Sequence, residues 1–253
     1  MNRRRFLQSG GLAGVPLAAA QSPARKPLLI TSAGSDLARK LAAGLSAQHA
    51  IRLTERKAVR VDHDFVECAL GHDSSTNDVV RGVQAIVHVA EPLPDDTAGQ
   101  QIDLTTRCTY NLLFAAAAEG VPLVVLLSSL EVMSGYDVNL TVSESWRPRP
   151  VSAEPRVLAK HLVEFTSREF AREGKVTVVV LRLGKVVRSE EVKDRPFDPT
   201  WVDERDVVHA VSLALASRPG RFQVFHIQAD SPKARFAVTR ARNALKYRPQ
   251  YQW

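Results

Sequence analysis

Cysteine is nearly absent from this chain. Cys68 and Cys108 are the only two among 253 residues, so no disulfide framework is available, and their spacing matches no metal or redox motif. Both are expected to behave as small buried apolar residues. No Lys/Arg stripe interleaved with aromatics occurs, which argues against a nucleic-acid surface. Repeats and low-complexity tracts are absent too. Glycine is scarce where the first apolar strand turns. What remains is an ordinary soluble composition, 45% apolar and 24% charged, on a chain long enough for one α/β domain whose core needs no covalent staples.

The formal net charge of +7 is unevenly placed, because Arg3, Arg4 and Arg5 sit together at the start. The run Arg3-Arg4-Arg5-Phe6-Leu7 resembles the twin-arginine export motif. A weakly apolar stretch from Gly10 to Leu17 and the small residues Ala18-Ala19-Ala20 follow it, in the order of an export signal with a cleavage site. The apolar stretch is too short to span a bilayer as a helix. Residues 1–20 are therefore expected to be an address, with residues 21–26 a polar linker. The mature protein is expected outside the cytoplasm or in the periplasm, free of the membrane after signal cleavage. Export of already folded protein suits a domain that acquires a cytoplasmic cofactor first.

From residue 27 onward, apolar runs alternate with helical periodicity. Leu28-Leu29-Ile30, Ala50–Leu53, Ala85–Ala90, Leu123–Leu127, Val176–Leu181 and Gln223–Ile227 read as strands, and about 36–46, 100–118, 155–173 and 206–216 as helices. Continuous apolar strands separated by helices mean a parallel sheet covered on both faces. Right-handed crossovers make it a doubly wound, Rossmann-type α/β sheet. Ligands bind such sheets at the carboxyl ends of the strands, so the residues just after each strand are the ones to inspect.

The first strand runs into Thr31-Ser32-Ala33-Gly34-Ser35-Asp36-Leu37-Ala38. A dinucleotide site usually has three glycines here, allowing a tight turn, close approach of a pyrophosphate and close helix packing. Only Gly34 is present; Ser32, Ser35 and Ala38 occupy the other positions. A plain strand–helix turn fits this segment as well. Glu55, 21 residues after Gly34, stands where an acid bonds the ribose hydroxyls of NAD, and its neighbour Arg56 could instead meet a 2′-phosphate. A solvated charge pair explains the two equally well. Ser129 and Lys160 could polarise a substrate hydroxyl and hold a nicotinamide ribose, or be a turn serine and a surface lysine. The segment Val61-Asp62-His63-Asp64, with Cys68, His72 and Asp73, is rich in ligand types but fits no zinc spacing, so no metal is expected.

Taken in order, these fragments resemble the extended short-chain dehydrogenase, or NAD-dependent epimerase/dehydratase, family over nearly all of residues 27–250. Val87-His88-Val89-Ala90 resembles the family's His-Leu-Ala-Ala. Asp103 to Ala116 is similar to its Asn-rich helix, and Leu127 to Gly135 to Ser-Ser-x-x-Val-Tyr-Gly. Leu181-Arg182-Leu183-Gly184 is similar to Leu-Arg-Pro, Val202–Val207 to Val-His-Val-Asp-Asp-Val with Asp206 on the acid, and Lys246–Pro249 to the closing Leu-Gly-Trp-x-Pro element. The resemblance implies a dinucleotide, NAD favoured over NADP, held by Ser32, Ala33, Gly34, Ser35, Asp36, Leu37, Glu55, Arg56, Val89, Ala90 and Lys160. It implies Ser129 and Lys160 as catalytic residues, Glu164 as a further match, a small-molecule substrate, and a homodimer through about 100–118 and 155–173.

The departures are as informative. The tyrosine of the family's Tyr-x-x-x-Lys is Arg156 here, and a guanidinium stays protonated, so it cannot replace a phenol as base. Thr105 and Cys108 replace a helix Asn and Gly, Met133 replaces a substrate-side Tyr, and Cys68-Ala69-Leu70 stands where an Asp-Leu usually meets adenine. The stretch from Leu183 to Trp201 is short, so the substrate lobe, about 184–205 and 228–253, is expected to be small. Two functions follow. One is an NAD(P)-dependent oxidoreductase or epimerase in which Ser129 orients substrate, Lys160 holds the ribose and another group such as Tyr136 handles the proton. The other is a degenerate, catalytically silent nucleotide-binding or scaffold protein, favoured for the chemistry by the joint loss of the tyrosine and most of the glycines.

Overall fold

The computed structural model describes residues 27–151, 153–217, 220–251 and 253. The export-signal and linker expectations, residues 1–26, lie outside the described residues. The strands are β1 (Pro27–Thr31), β2 (Ala50–Glu55), β3 (Asp64–Glu67), β4 (Ala85–His88), β5 (Leu123–Ser129), β6 (Thr177–Leu183), β7 (Lys185–Val187), β8 (Trp201–Asp203) and β9 (Phe222–Ile227). The helices are α1 (Asp36–Leu45), α2 (Ser74–Val80), α3 (Ala98–Ala118), α4 (Pro155–Arg172), α5 (Ser189–Val192) and α6 (Glu204–Ala216).

Seven strands form one all-parallel sheet in the order β3-β2-β1-β4-β5-β6-β9. Side chains alternate across each strand. Leu28 and Ile30 therefore join a core with α1 and α6, while Leu29 joins the opposite core with α2, α3 and α4. Burial on both faces is why these strands are continuous apolar runs. The expected doubly wound sheet is present, and the expected strands and helices fall within a few residues of their observed ends.

Several short elements were not expected from the sequence, β3, α2, β7, α5 and β8 among them. β3, Asp-Phe-Val-Glu, has charged ends because it is an edge strand. α2 covers only two turns, started by Asp73, whose carboxylate accepts from Ser75 N at 2.9 Å. Among the described residues no helix is long and apolar enough to cross a membrane.

The segment after β6 crosses over the carboxyl edge. At Gly184 an added Cβ would lie 2.0 Å from the Thr200 carbonyl oxygen, so only glycine fits. β7 and β8 then pair in parallel as a separate two-stranded ribbon. Asp203 caps α6 and accepts from the Ser189 amide and hydroxyl at 2.9 and 2.6 Å. Burial opposes its charge, but bonds from Arg205 and Ser189 outweigh burial and hold its carboxyl well below the usual range. Asp206 accepts the amides of Gln250 and Tyr251 at 2.9 and 3.1 Å, docking the closing tail, whose Tyr247 is buried in the core.

A buried charge pair ties α4 to the sheet. Arg182 on β6 makes bidentate bonds to Glu164 at 2.9 and 2.8 Å, and the Ser128 hydroxyl donates to Glu164 at 2.6 Å. His226 lies opposite Arg182 on β9 and packs edge-on against Phe236. Burial, with the Arg182 charge alongside, pushes its pKa down to about 3.

Glu164→Gln strands the Arg182 guanidinium in the core and is expected to lower unfolding free energy by about 3–5 kcal/mol. Denaturant unfolding measures it, with exposed Asp103→Asn, which breaks only the surface pair with Arg107, expected to stay within about 0.5 kcal/mol. Because His226 stays neutral when folded, the unfolded chain alone takes up its proton below about pH 6.5. Stability therefore falls as pH drops from there toward about 3. His226→Phe is expected to flatten that fall, gaining up to about 2 kcal/mol at pH 5 relative to pH 7.5. Melting curves at the two pH values check this, and an unchanged slope contradicts it.

Candidate functional site

The strand order reverses between β1 and β4, and that topological switch point opens a crevice at the carboxyl edge. One buried hydrogen-bond relay holds the two strand ends. Val89 N donates to Thr31 Oγ1 at 3.1 Å, and Thr31 Oγ1 lies 2.9 Å from His88 Nδ1. Thr109 Oγ1 donates to the Thr105 carbonyl at 2.6 Å, so it accepts from His88 Nε2, 2.7 Å away. That places the ring proton on Nε2 and makes Nδ1 the acceptor for Thr31. Burial, with Lys160 nearby, pushes the His88 pKa down to about 3, so the ring is neutral at ordinary pH.

The turn after β1 leads directly into α1, whose positive dipole end faces the crevice. Ser32 adopts φ +59°, a conformation that glycine takes without strain. Its hydroxyl accepts from Glu91 N at 3.1 Å. Gly34 has little room for a side chain, since a Cβ would come 3.2 Å from both Glu55 Oε2 and Leu93 Cδ2. Ser35 caps α1 by accepting from Ala38 N, and Ala33 and Ala38 are buried. The Asp36 carboxylate is exposed and pairs with Lys40 on the helix surface, whereas Leu37 lines the crevice.

On the β2 side, buried Glu55 accepts from Gly34 N at 3.2 Å and from Arg56 N at 2.9 Å. Arg56 forms an ion pair with Asp96. The cavity here is small, about 60 Å³, and is walled by Ala90, Leu93, Cys68, Leu70 and Cys108. Cys68 is buried and Cys108 half-buried; burial pushes the Cys108 thiol up to about 11.

On the β5 side, Lys160 Nζ donates to the carbonyls of Val89 at 2.8 Å and Leu127 at 3.2 Å and lies 3.4 Å from Glu91. Its side chain is 13% exposed, and burial lowers its pKa against the opposing pull of Glu91. Arg156, 61% exposed, forms a second ion pair with the same Glu91 carboxylate. Thus one carboxylate joins the lysine and the group at the tyrosine position. Ser129 Oγ donates to Glu131 at 3.2 Å. A cavity of about 410 Å³ bounded by Leu37, Arg156 and Lys160 meets another of about 520 Å³ bounded by Lys185 and Arg235, the two sharing Ser129, Glu131, Leu183 and Gly184. A larger cavity of about 560 Å³ lies apart, between α4 and Glu144–Pro148, and contains none of the crevice residues.

The expected residues Leu37, Val89, Ser129, Arg156 and Lys160 therefore surround one cavity, and Ser32, Glu55, Arg56 and Ala90 the smaller one beside it. Tyr136 does not join them, which corrects the expectation that it handles a proton. Its hydroxyl donates to the Arg147 carbonyl at 2.9 Å and its ring packs edge-on against Trp146. Glu91, Asp96 and Glu131 escaped sequence reasoning. Glu91 directly follows Ala90 at the end of β4, and Glu131 stands two residues after Ser129, so position alone carried a usable signal for both.

Solved structures share this architecture. A uronate dehydrogenase from Agrobacterium tumefaciens superposes with a TM-score of 0.77 at 21% identity, over 89% of this chain and 85% of that one. MoeE5, solved with UDP-glucuronic acid and NAD, gives 0.72 at 20% identity over 89% and 94%. A UDP-N-acetylglucosamine 4-epimerase from Bacillus cereus gives 0.73 at 14% identity over the same shares. No curated protein matches the chain. The model of the NAD dependent epimerase/dehydratase family matches residues 32–200, two thirds of the sequence, from the turn after β1 through β7. On that match, this chain belongs to the NAD-dependent epimerase/dehydratase family.

Proposed function

We propose that this protein binds NAD at the carboxyl edge of its sheet, holds a small hydroxyl-bearing molecule beside it, and lacks the tyrosine-dependent hydride exchange of its family. The residues present suit the dinucleotide. Gly34 leaves space that a Cβ would fill, and Glu55 is a buried acid at the end of β2. The start of α1 favours an anion. Lys160 reaches the larger cavity, which has room for a ring. The small cavity on the β2 side needs Leu93 to move before an adenosine enters. Bound NAD would supply a hydride acceptor. NAD-bound relatives of the same fold support this choice of cofactor.

The observation that carries the second half is the shared carboxylate. Glu91 engages both Arg156 and Lys160, so the position that should present a phenol presents a neutralised guanidinium. The Arg156 guanidinium stays protonated and cannot accept a proton from an alcohol at neutral pH. A second reading, an active oxidoreductase or epimerase, is favoured by one contact. The Glu131 carboxylate, bonded to Ser129 at the junction of the two cavities, could take the proton instead. Uronic acids and UDP-sugars, named with the structural neighbours, are the substrates to offer.

Homodimer formation through α3 and α4 is supported by Tyr110, Phe114, Leu162 and Phe165, all exposed on those helices. Export by the twin-arginine route is supported by the sequence of residues 3–20 alone.

The test is a titration of the full chain with NADH, following fluorescence and melting temperature. Saturable binding should raise the melting point by mass action, with no hydride exchange above background for uronic acids or UDP-sugars. Absence of saturable binding would sink the nucleotide reading. Turnover would overturn the silent reading, and its loss by about 100-fold or more in Glu131→Gln would establish the second one.

A further inference from the structure

Glu55 and Arg56 are adjacent at the end of β2 and point to opposite cofactors. A carboxylate there accepts the two ribose hydroxyls of NAD, and a guanidinium there receives the 2′-phosphate of NADP. The structure shows what becomes of the guanidinium. Arg56, 24% exposed, is paired with Asp96, whose side chain is only 5% exposed.

Asp96 is not free to swing away. Its second carboxylate oxygen accepts from Leu93 N at 2.9 Å, and its carbonyl accepts from Gln101 Nε2 at 2.9 Å. It immediately precedes Thr97, which starts α3 with a reciprocal capping box to Gln100. The carboxylate is thus anchored to a helix end, while the arginine side chain is the flexible partner.

We infer that Asp96, by neutralising Arg56 across the crevice, makes this site select NAD over its 2′-phosphorylated form. This rests on the nucleotide-binding reading above. A 2′-phosphate brings nearly two negative charges into a cavity walled by the carboxylates of Glu55 and Asp96. It finds the one lining cation already matched. The neighbouring cations Lys57 and Arg60 are exposed and do not line the cavity. The neutral ribose hydroxyls of NAD meet no such repulsion and can donate to Glu55. Specificity of this kind comes from the repulsive element as much as from the attractive one.

The experiment measures dissociation constants for NAD⁺ and NADP⁺ by calorimetry on the full chain and on Asp96→Asn, Arg56→Gln and the double variant, each checked for folding by circular dichroism. The wild type should prefer NAD⁺ by about tenfold or more. Asp96→Asn keeps the side-chain volume and releases Arg56, so the preference should shrink by about tenfold through tighter NADP⁺ binding. The double variant should lose that gain. Arg56→Gln alone leaves the anchored Asp96 carboxylate unmatched, so it should keep or widen the preference for NAD⁺ and never narrow it, which keeps the inference testable if Asp96→Asn does not fold. Equal affinity of the wild type for both cofactors, an unchanged preference in Asp96→Asn, or a narrowed preference in Arg56→Gln would overturn it. Failure of the wild type to bind either cofactor is a separate result and overturns the nucleotide reading itself.

Discussion

A buried ammonium has to be compensated, and in this protein Lys160 sets the terms for everything around it. Removing a charge from water carries a penalty of several kcal/mol unless hydrogen bonds and an opposite charge replace the solvent. The Val89 and Leu127 carbonyls supply the bonds and Glu91 the charge. Those carbonyls belong to the ends of β4 and β5, so the lysine fastens two strand ends at the rim of the crevice. Once Glu91 is drawn into the site, a cation at position 156 is favoured beside it. Glu91 and Arg156, 65 residues apart in the chain, are joined across the site as one ion pair.

The crevice itself follows from the fold. Parallel strands aim their carboxyl ends at one edge, and the reversal between β1 and β4 leaves a gap there that no helix fills. The Thr31–His88–Thr109 relay keeps that gap in shape using neutral groups only, since the imidazole is buried too deeply to charge. Around this frame the acidic residues Glu55, Glu91, Asp96 and Glu131 each hold a specific partner. The scaffold of the NAD-dependent epimerase/dehydratase family is intact.

Sequence patterns revealed the scaffold well because burial on both faces writes itself into composition. Val178-Val179-Val180-Leu181 can only be a central strand of a covered parallel sheet. β3 was invisible for the same reason: as an edge strand it needs no apolar run, and its Asp64 and Glu67 ends resemble a loop. The site was half legible. Ser129, at the end of β5, and Lys160, four residues after Arg156 on α4, could be found by counting. Directions could not. Tyr136 lies near Ser129 in the chain yet faces Trp146, and nothing in its spacing tells which way a side chain leaves a turn. Ion pairs between distant segments, Arg56 with Asp96 and Arg156 with Glu91, have no local signature at all.

The central claim is that the rim around Lys160 is a nucleotide site whose tyrosine function has been replaced by an ion cluster. A crystal structure grown with NAD⁺ addresses it most directly. The account predicts dinucleotide density along the carboxyl edge, with the nicotinamide ribose within hydrogen-bond reach of Lys160 Nζ and the Arg156 guanidinium still on Glu91. Dinucleotide bound elsewhere on the molecule, or a Lys160 turned away from it, would contradict the account.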